Sequence, residues 1–575
     1  MKKILIALTV VCAAWIFSSC ESRLDIPRKG VVALESFYQT NEDAESALVS
    51  AYYVAGRFLS NTIGTEGGWN ECPMVDPFEY SSDDIYSAGE NNGDGVEGNQ
   101  LNAFWLNDNN PIVSGSYHCY YMIINAANQV IDHFYGEDGS LADTQVKKRC
   151  VAEARVLRAF MHLYLAMGWY NPPIVDHVLD ANDRPANSKD QNEVLDFVIK
   201  DCELALPDLD ERASKNDKDG AVKVTKGFCN AVMGKAYLFK GEYANAKTAL
   251  KRVIDSNKYD LVPSDRMASL YHYSARGCEE SVFELNVKYD ASVGEYFWKV
   301  GGNFKNLWGW RTGQMHMPLG EGTELTSDAG WGWVNPSKKF VDALIANDGV
   351  ESARRKAWIK SYDEVLYEMP YENDSECPTL ADKKKDDKRG IHWEAGLYGH
   401  VGWFMWKRLW RQEDKAISGD IQYNQVAMRY AEVLLMYAEA CAQAGDSDGS
   451  GLAALNKVQN RAQSQHVSAT LTLADVQNEK WFECWLEGSR FPDLVRWGLA
   501  EKELANNGKY LPNFADAFFA DGEAEHRGVI IESDADWCTK SHPEMGFKKS
   551  KHSYYPIPFD EKKVNPNIHD WNYAE

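Results

Sequence analysis

Glu487, Arg490, Asp493 and Arg496 alternate in sign at helix and turn spacing, and a carboxylate pair so placed could serve as general acid and base. The same four read more simply as a partly buried salt-bridge network pinning the last helix pair. That structural role is the expectation for them and for Glu153, Arg155 and Arg158. His392, Glu394 and His400 are the nearest approach to a metal cluster, but their spacing is not the HExxH pattern that sets two ligands on one helix face. The run DSDGSG, Asp446 to Gly451, shares part of a calcium loop without its closing bidentate Glu, and reads as a turn between helices. No GxSxG, P-loop or Rossmann glycine pattern stands in a fitting context. These residues predict no catalysis, no metal and no cofactor.

A different chemistry is carried by the aromatic residues, 12% of the chain with 19 Trp and 29 Tyr. A sugar presents an apolar face of C–H groups with hydroxyls at its edge, so flat rings supply dispersion while Asn, Asp, Gln or Arg orient the edge. Residues 60–115 are rich in Gly, Asn and Asp with isolated Trp69 and Trp105, and 296–335 is dense in Gly and Trp without a clear period. Both read as long loops, which in folded domains usually serve function. The net charge of −24 argues against nucleic acid and strongly anionic polymers and suits a neutral partner.

Cys20 bears on where the chain works. Lys2 and Lys3 precede an apolar run from Ile4 to Phe17, and Phe17-Ser18-Ser19-Cys20 reads as a bacterial lipobox. The run is about 14 residues, short of the roughly 20 that span a bilayer, so it is expected to be a removable signal (1–19). A lipobox cysteine becomes acylated at its thiol and its new amine, which gives a stable lipid anchor. Of the ten cysteines that remain after Cys12 and Cys20, none pairs as CxxC, and Cys150, Cys202, Cys229, Cys441 and Cys484 lie in helical patterns. Buried free thiols are expected there.

The elements that must position these residues are mostly helices. Apolar spacing predicts helices over 43–58, 117–134, 146–168, 191–206, 225–240 and 243–256, and a pair over 427–465. In the pair 225–256, Gly234, Tyr237, Ala246 and Leu250 fall at tetratricopeptide offsets. A strand is expected over 279–287, within a stretch 257–426 where the helical period mostly breaks. The expected fold is mostly α, about four tetratricopeptide-like helix pairs interrupted by long aromatic-rich insertions with minor β. Its regions are 20–256, 257–426 and 427–575, packed as one unit.

Several segments, taken in order, resemble the SusD/RagB family of outer-membrane lipoproteins. They are LDIP (24–27), FYQTNEDAESALVSAY from Phe37, YYMIINAANQVI from Tyr120, and EARVLRAFMHLYLAMGWY from Glu153. KGFCNAVMGKAYLFKGEYANAKTALKRVI, RYAEVLLMYAEACAQAG, LNKVQNRAQ, EKWFECWLEGSRFPDLVRWG and the closing YYPIPFDEKKVNPNI complete the match. The chain departs from the family where Lys480 replaces a common Arg, where Trp169–Ile174 reads WYNPPI, and where His569, Asp570 and Trp571 stand in the finish. The resemblance implies a lipid-anchored, cell-surface glycan-binding protein of the outer membrane, acting as a non-catalytic lid on a SusC-like TonB-dependent transporter. A lid of the same build for peptide or glycopeptide is the alternative, and a surface hydrolase a weaker one. It also implies that the ligand platform is built by the loop after the first helix and the insertion near 290–335. Its candidate residues here are Trp69, Trp105, Trp308, Trp310, Asn102, Asp83, Tyr296 and Arg311.

Overall fold

The computed structural model describes residues 37–59, 72–87, 95–286, 289–290, 295–296, 308–310, 319–325, 332–361, 363–386, 403–415, 422–512, 532–534 and 542–572. The fold is mostly helical. Its longer helices are α1 (Asn41–Leu59), α2 (Pro111–Tyr135), α3 (Gln145–Trp169), α4 (Gln191–Ala205), α5 (Lys226–Lys240) and α6 (Tyr243–Asp255). They continue with α7 (Lys338–Asp348), α8 (Tyr430–Ala444), α9 (Ser450–Ala462), α10 (Leu473–Glu483) and α11 (Arg490–Arg496). Strand content among the described residues is five two-stranded ribbons, all antiparallel.

Local sequence sets the helix ends. The Asn110 side chain accepts the N–H groups of Ile112 and Val113 at 3.1 and 3.2 Å, and Pro111 occupies the first helical position, so α2 starts well before residue 117. Thr144, Asp190, Thr225 and Thr472 cap α3, α4, α5 and α10 in the same way. Gly241 and Gly445, both left-handed, stop α5 and α8. Neighbouring helices then pack in pairs: α2 with α3, α3 with α4, α5 with α6, α8 with α9, and α6 across to α8. One buried apolar cluster runs through all of them, from Ala44 to Ile568.

The α5–α6 crossing depends on a missing side chain. A Cβ on Gly234 would stand 2.5 Å from Leu250 Cγ, closer than any packed carbon tolerates. We expect Gly234→Ala to destabilise the protein by about 1 kcal/mol or more, overpacking outweighing the gain in helix propensity. The shift is read from the urea midpoint; adding Leu250→Ala should recover the helix-propensity gain, and a single variant as stable as wild type would refute the argument.

Two regions depart from the sequence expectation. The stretch 60–115 is not one long loop where it is described: every residue from 72 to 87 is buried in a helix (Asp76–Tyr80) and a strand (Ile85–Ser87) with their connections, and a further helix (Val96–Asn102) leads to a turn exposed at Asn107 and Asn109. The reason is polar satisfaction. Ile85–Ser87 pairs with Val334–Pro336, Ser337 donates to the Asp83 carbonyl, and Tyr120 donates to the Pro73 carbonyl. The second departure is at 427–429, which extends a strand (Gln425–Arg429) paired with Ser281–Leu285 before α8 begins. All nine described cysteines are free thiols; eight are buried and Cys278 is half-buried.

Candidate functional site

Glu487, Arg490, Asp493 and Arg496 enter three separate buried ion networks instead of one. Arg490 places Nε and Nη2 on the Asp83 carboxylate at 2.8 and 3.0 Å, and Lys339 reaches the same carboxylate at 2.5 Å. Burial pushes the Asp83 pKa up, but these two cations outweigh it and hold the group at about 2. Asp493 binds Lys480 at 2.7 Å and Arg496 at 2.8 Å, and Arg496 continues to Glu439 at 2.7 Å. Glu487 joins Lys407 at 2.5 Å and Arg429 at 2.6 Å in a larger network with Glu280, Arg461, Glu483, Arg354, Asp348 and Glu479. Arg155 and Arg158 share Asp201 at 2.9 and 2.7 Å, while Glu153 accepts from Arg149 and Tyr52. Asp446 and Asp448 of the DSDGSG turn bind Lys247 at 2.5 and 3.2 Å.

Several of the expected ligand residues are spent on the core. Trp308 and Trp310 are 1% and 6% exposed; the Trp310 indole donates to the Met405 carbonyl at 2.9 Å, and its ring packs on Phe404 and Trp406. Asn102 uses its amide on the carbonyl oxygens of Tyr80, Ser82 and Ile85, and Asp83 is the buried partner of Arg490. A ring or amide whose faces and donors are taken internally has none to offer a ligand. Trp69, Arg311, the side chain of Tyr296, Cys20 and the trio His392, Glu394 and His400 lie outside the described residues.

Trp105 is different. It is half-buried, its ring stacks on His542 at 3.6 Å with 10° between planes, and its indole N–H makes no hydrogen bond. Its neighbours Phe104, Leu106, Asn107 and Asp108 line a cleft of about 270 Å³, which shares Tyr554 and Trp571 with an adjoining cleft of about 710 Å³. The larger cleft is walled by Val495, Ala500 and Phe547, with Lys548, Lys549 and Ser550 at its edge. Together they form a furrow between the turn before α2, the end of α11 and the closing segment.

Two half-buried rings, Tyr554 and Trp571, line both clefts, and a third, Tyr170, packs against them. Tyr554 and Trp571 meet edge to face with centroids 5.2 Å apart, and Tyr170 lies 4.9 Å from Tyr554 and 6.2 Å from Trp571. Tyr170 takes a left-handed φ of 67° directly after α3, a strained turn for a tyrosine. Polar groups converge beside the rings. Lys562 ties Asp108 to Asp570 at 3.1 and 3.0 Å, and Asn572 and Asn107 stand at the rim. His552 accepts the Lys548 N–H through Nδ1, which sets its proton on Nε2; burial lowers its pKa to about 4, so it stays neutral. Burial raises the Tyr554 pKa to about 12, leaving a protonated hydroxyl. The furrow thus offers aromatic edges, neutral donors and two lysine-paired carboxylates. Among the described residues no group of three or more His, Cys, Asp or Glu could hold a metal ion.

Sequence reasoning missed Tyr170, Tyr554 and Trp571. The signal was available, since Tyr170 and Trp571 fall in the two segments, 169–174 and 569–571, where the chain departs from the family pattern.

The SusD family model matches residues 280–573, and the chain belongs to that family. A SusD-like protein of Bacteroides ovatus is 23% identical over 551 residues, covering 92% of this chain and 87% of the relative. SusD-like protein P2 of Formosa agariphila is 25% identical over 507 residues, 84% of this chain and 89% of the relative. Among solved structures, surface glycan-binding protein A from Bacteroides thetaiotaomicron in complex with laminarihexaose superposes with a TM-score of 0.66 at 21% identity, over 92% of this chain and 99% of its own.

Proposed function

We propose that this protein is a cell-surface glycan-binding lipoprotein, anchored through Cys20 in the outer membrane, that captures oligo- or polysaccharide without catalysis. It hands the ligand to a SusC-like TonB-dependent transporter. The observation that carries this reading is the Tyr554–Trp571 ring pair, packed against Tyr170 and flanked by Asn107, Asn572 and the Lys562-paired carboxylates, with Trp105 in the same turn as Asn107. Aromatic edges beside a ring of short polar groups match the apolar face and hydroxyl edge of a sugar. Family membership and the fold shared with a laminarihexaose-binding protein support it. Among the described residues no helix is long and apolar enough to cross a membrane.

The test is affinity electrophoresis of protein lacking residues 1–20 through gels holding laminarin or other neutral polysaccharides. One polymer should retard the wild type. Trp571→Ala and Trp105→Ala should each weaken binding about tenfold while keeping the wild-type circular dichroism, the loss expected for removing one stacking ring. Undiminished retardation of Trp571→Ala would place the platform elsewhere. No retardation by any polymer would favour a peptide ligand.

A further inference from the structure

A second cleft, of about 470 Å³, is lined by other residues, among them Glu351, Lys356, Lys360, Trp406, Arg411 and Gln463. It lies between the helix Ala353–Trp358, the turn after the strand Trp403–Met405, and the C-terminal end of α9. The Arg411 guanidinium stands 4.6 Å from the Trp406 ring centroid and the Lys360 ammonium 5.0 Å from it, both within cation–π range.

Arg411 is only 6% exposed in its side chain, yet its Nε and Nη2 make no hydrogen bond. These two nitrogens form the fork that takes a carboxylate side-on. Other buried arginines of this protein fill the same fork: Arg158 on Asp201 at 2.7 and 2.8 Å, Arg490 on Asp83 at 2.8 and 3.0 Å, Arg354 on Asp348 at 2.7 Å twice. A buried donor without a partner is destabilising, and an acceptor of the right shape relieves it.

The surrounding charges are otherwise engaged. Lys356 pairs with Glu351 at 2.7 Å, and Asp414 accepts from His272, from Tyr273 N–H and from the Arg411 backbone N–H. Glu364 is held by Arg355 at 2.5 Å. Glu324 approaches Arg411 Nη1 only to 3.7 Å, beyond a hydrogen bond, and its side chain is 66% exposed, so an incoming group displaces a solvated carboxylate and not a packed one. Glu324 and Asp265 offset Arg411 and Lys360 at the wall, so the cleft is close to neutral until the solvated Glu324 swings away, which leaves one positive charge to meet a monoanion and disfavours a dianion.

We propose that this cleft binds a monocarboxylate of up to sugar-acid size, its charge shared between Lys360 and Arg411, whose Nε and Nη2, closed to solvent in the free protein, turn to meet its two oxygens. The site is independent of the aromatic furrow and of the glycan reading. The test is isothermal titration of the purified protein with sodium glucuronate at low ionic strength, with glucose as the uncharged control. Glucuronate should bind and glucose should give no heat. Arg411→Lys, which keeps the charge but loses the fork, should bind about tenfold more weakly, and the half-exposed Lys360→Gln should weaken binding several-fold without altering the melting temperature. No heat from glucuronate, equal heats from glucose, or wild-type affinity in Lys360→Gln would each overturn the proposal.

Discussion

Arg429→Met should destabilise this protein by about 3–5 kcal/mol, the largest effect expected of any single substitution considered, because it leaves buried carboxylates without their common cation. Arg429 is 1% exposed and donates to Glu280 at 2.5 Å, Glu483 at 3.0 Å, Glu487 at 2.6 Å and the Tyr271 hydroxyl at 2.8 Å. Burial pushes the Glu487 pKa up, yet Arg429 and Lys407 outweigh it and hold the group at about 2. Removing Arg429 leaves Lys407 alone on Glu487 and Arg461 alone on Glu280, while Glu483 keeps only Arg461 and a longer contact to Arg354. The network also joins distant parts of the sequence: Glu280, Arg354 and Lys407 come from the irregular middle, Arg461, Glu483 and Glu487 from the C-terminal helices. Urea denaturation measures the loss. Arg429→Lys should recover less than half of it, since a single ammonium cannot reproduce the planar fork. A midpoint for Arg429→Met within 1 kcal/mol of wild type would show that the network is stabilised by its other cations alone.

The second large effect is a pH dependence. Asp84 is fully buried beside Asp83 and Glu79, accepts from the Trp481 indole at 3.2 Å and from Ser82, and desolvation first, then Asp83, raises its pKa to about 6. Desolvation and Asp84 likewise raise Glu79, whose carboxylate accepts the Leu486 and Gly488 N–H groups at 3.0 Å. A carboxyl whose pKa is higher folded than unfolded binds more protons in the native state between the two values. Its contribution to stability is therefore complete below the unfolded pKa and is lost as pH rises through about 6. The rise from the usual aspartate value to about 6 corresponds to about 3 kcal/mol. His162 and His552, lowered by burial to about 4, act in the opposite direction over the same range. The decisive quantity is thus the difference between wild type and Asp84→Asn. The variant should be more stable at pH 7.5, with an advantage that shrinks toward pH 5. Parallel curves from pH 5 to 7.5 would show that Asp84 titrates normally. Asp83 and Glu487, both near 2, lose their contributions only at far lower pH and do not enter this window.

Much of the scaffold was determined by the sequence alone. Periodicity fixed α3, α4, α5 and α6 to within a few residues, because an amphipathic stripe and a cap are properties of neighbouring residues. The Gly234–Leu250 contact was legible for the same reason, as a fixed offset within one helix pair. What only the tertiary structure decided is which polar and aromatic side chains face inward. Composition marks 72–87 and 308–310 as Asp-, Gly- or Trp-rich loops, yet both are buried, since Asp83 meets Arg490 and Trp310 meets Met405 from far along the chain. The furrow shows the converse: Tyr554 and Trp571 line it, and they meet Tyr170 only when the closing segment folds back onto the end of α3. Ring type can be read from a residue, but exposure belongs to its neighbours in space, and for side chains on separate segments those neighbours are set by long-range packing.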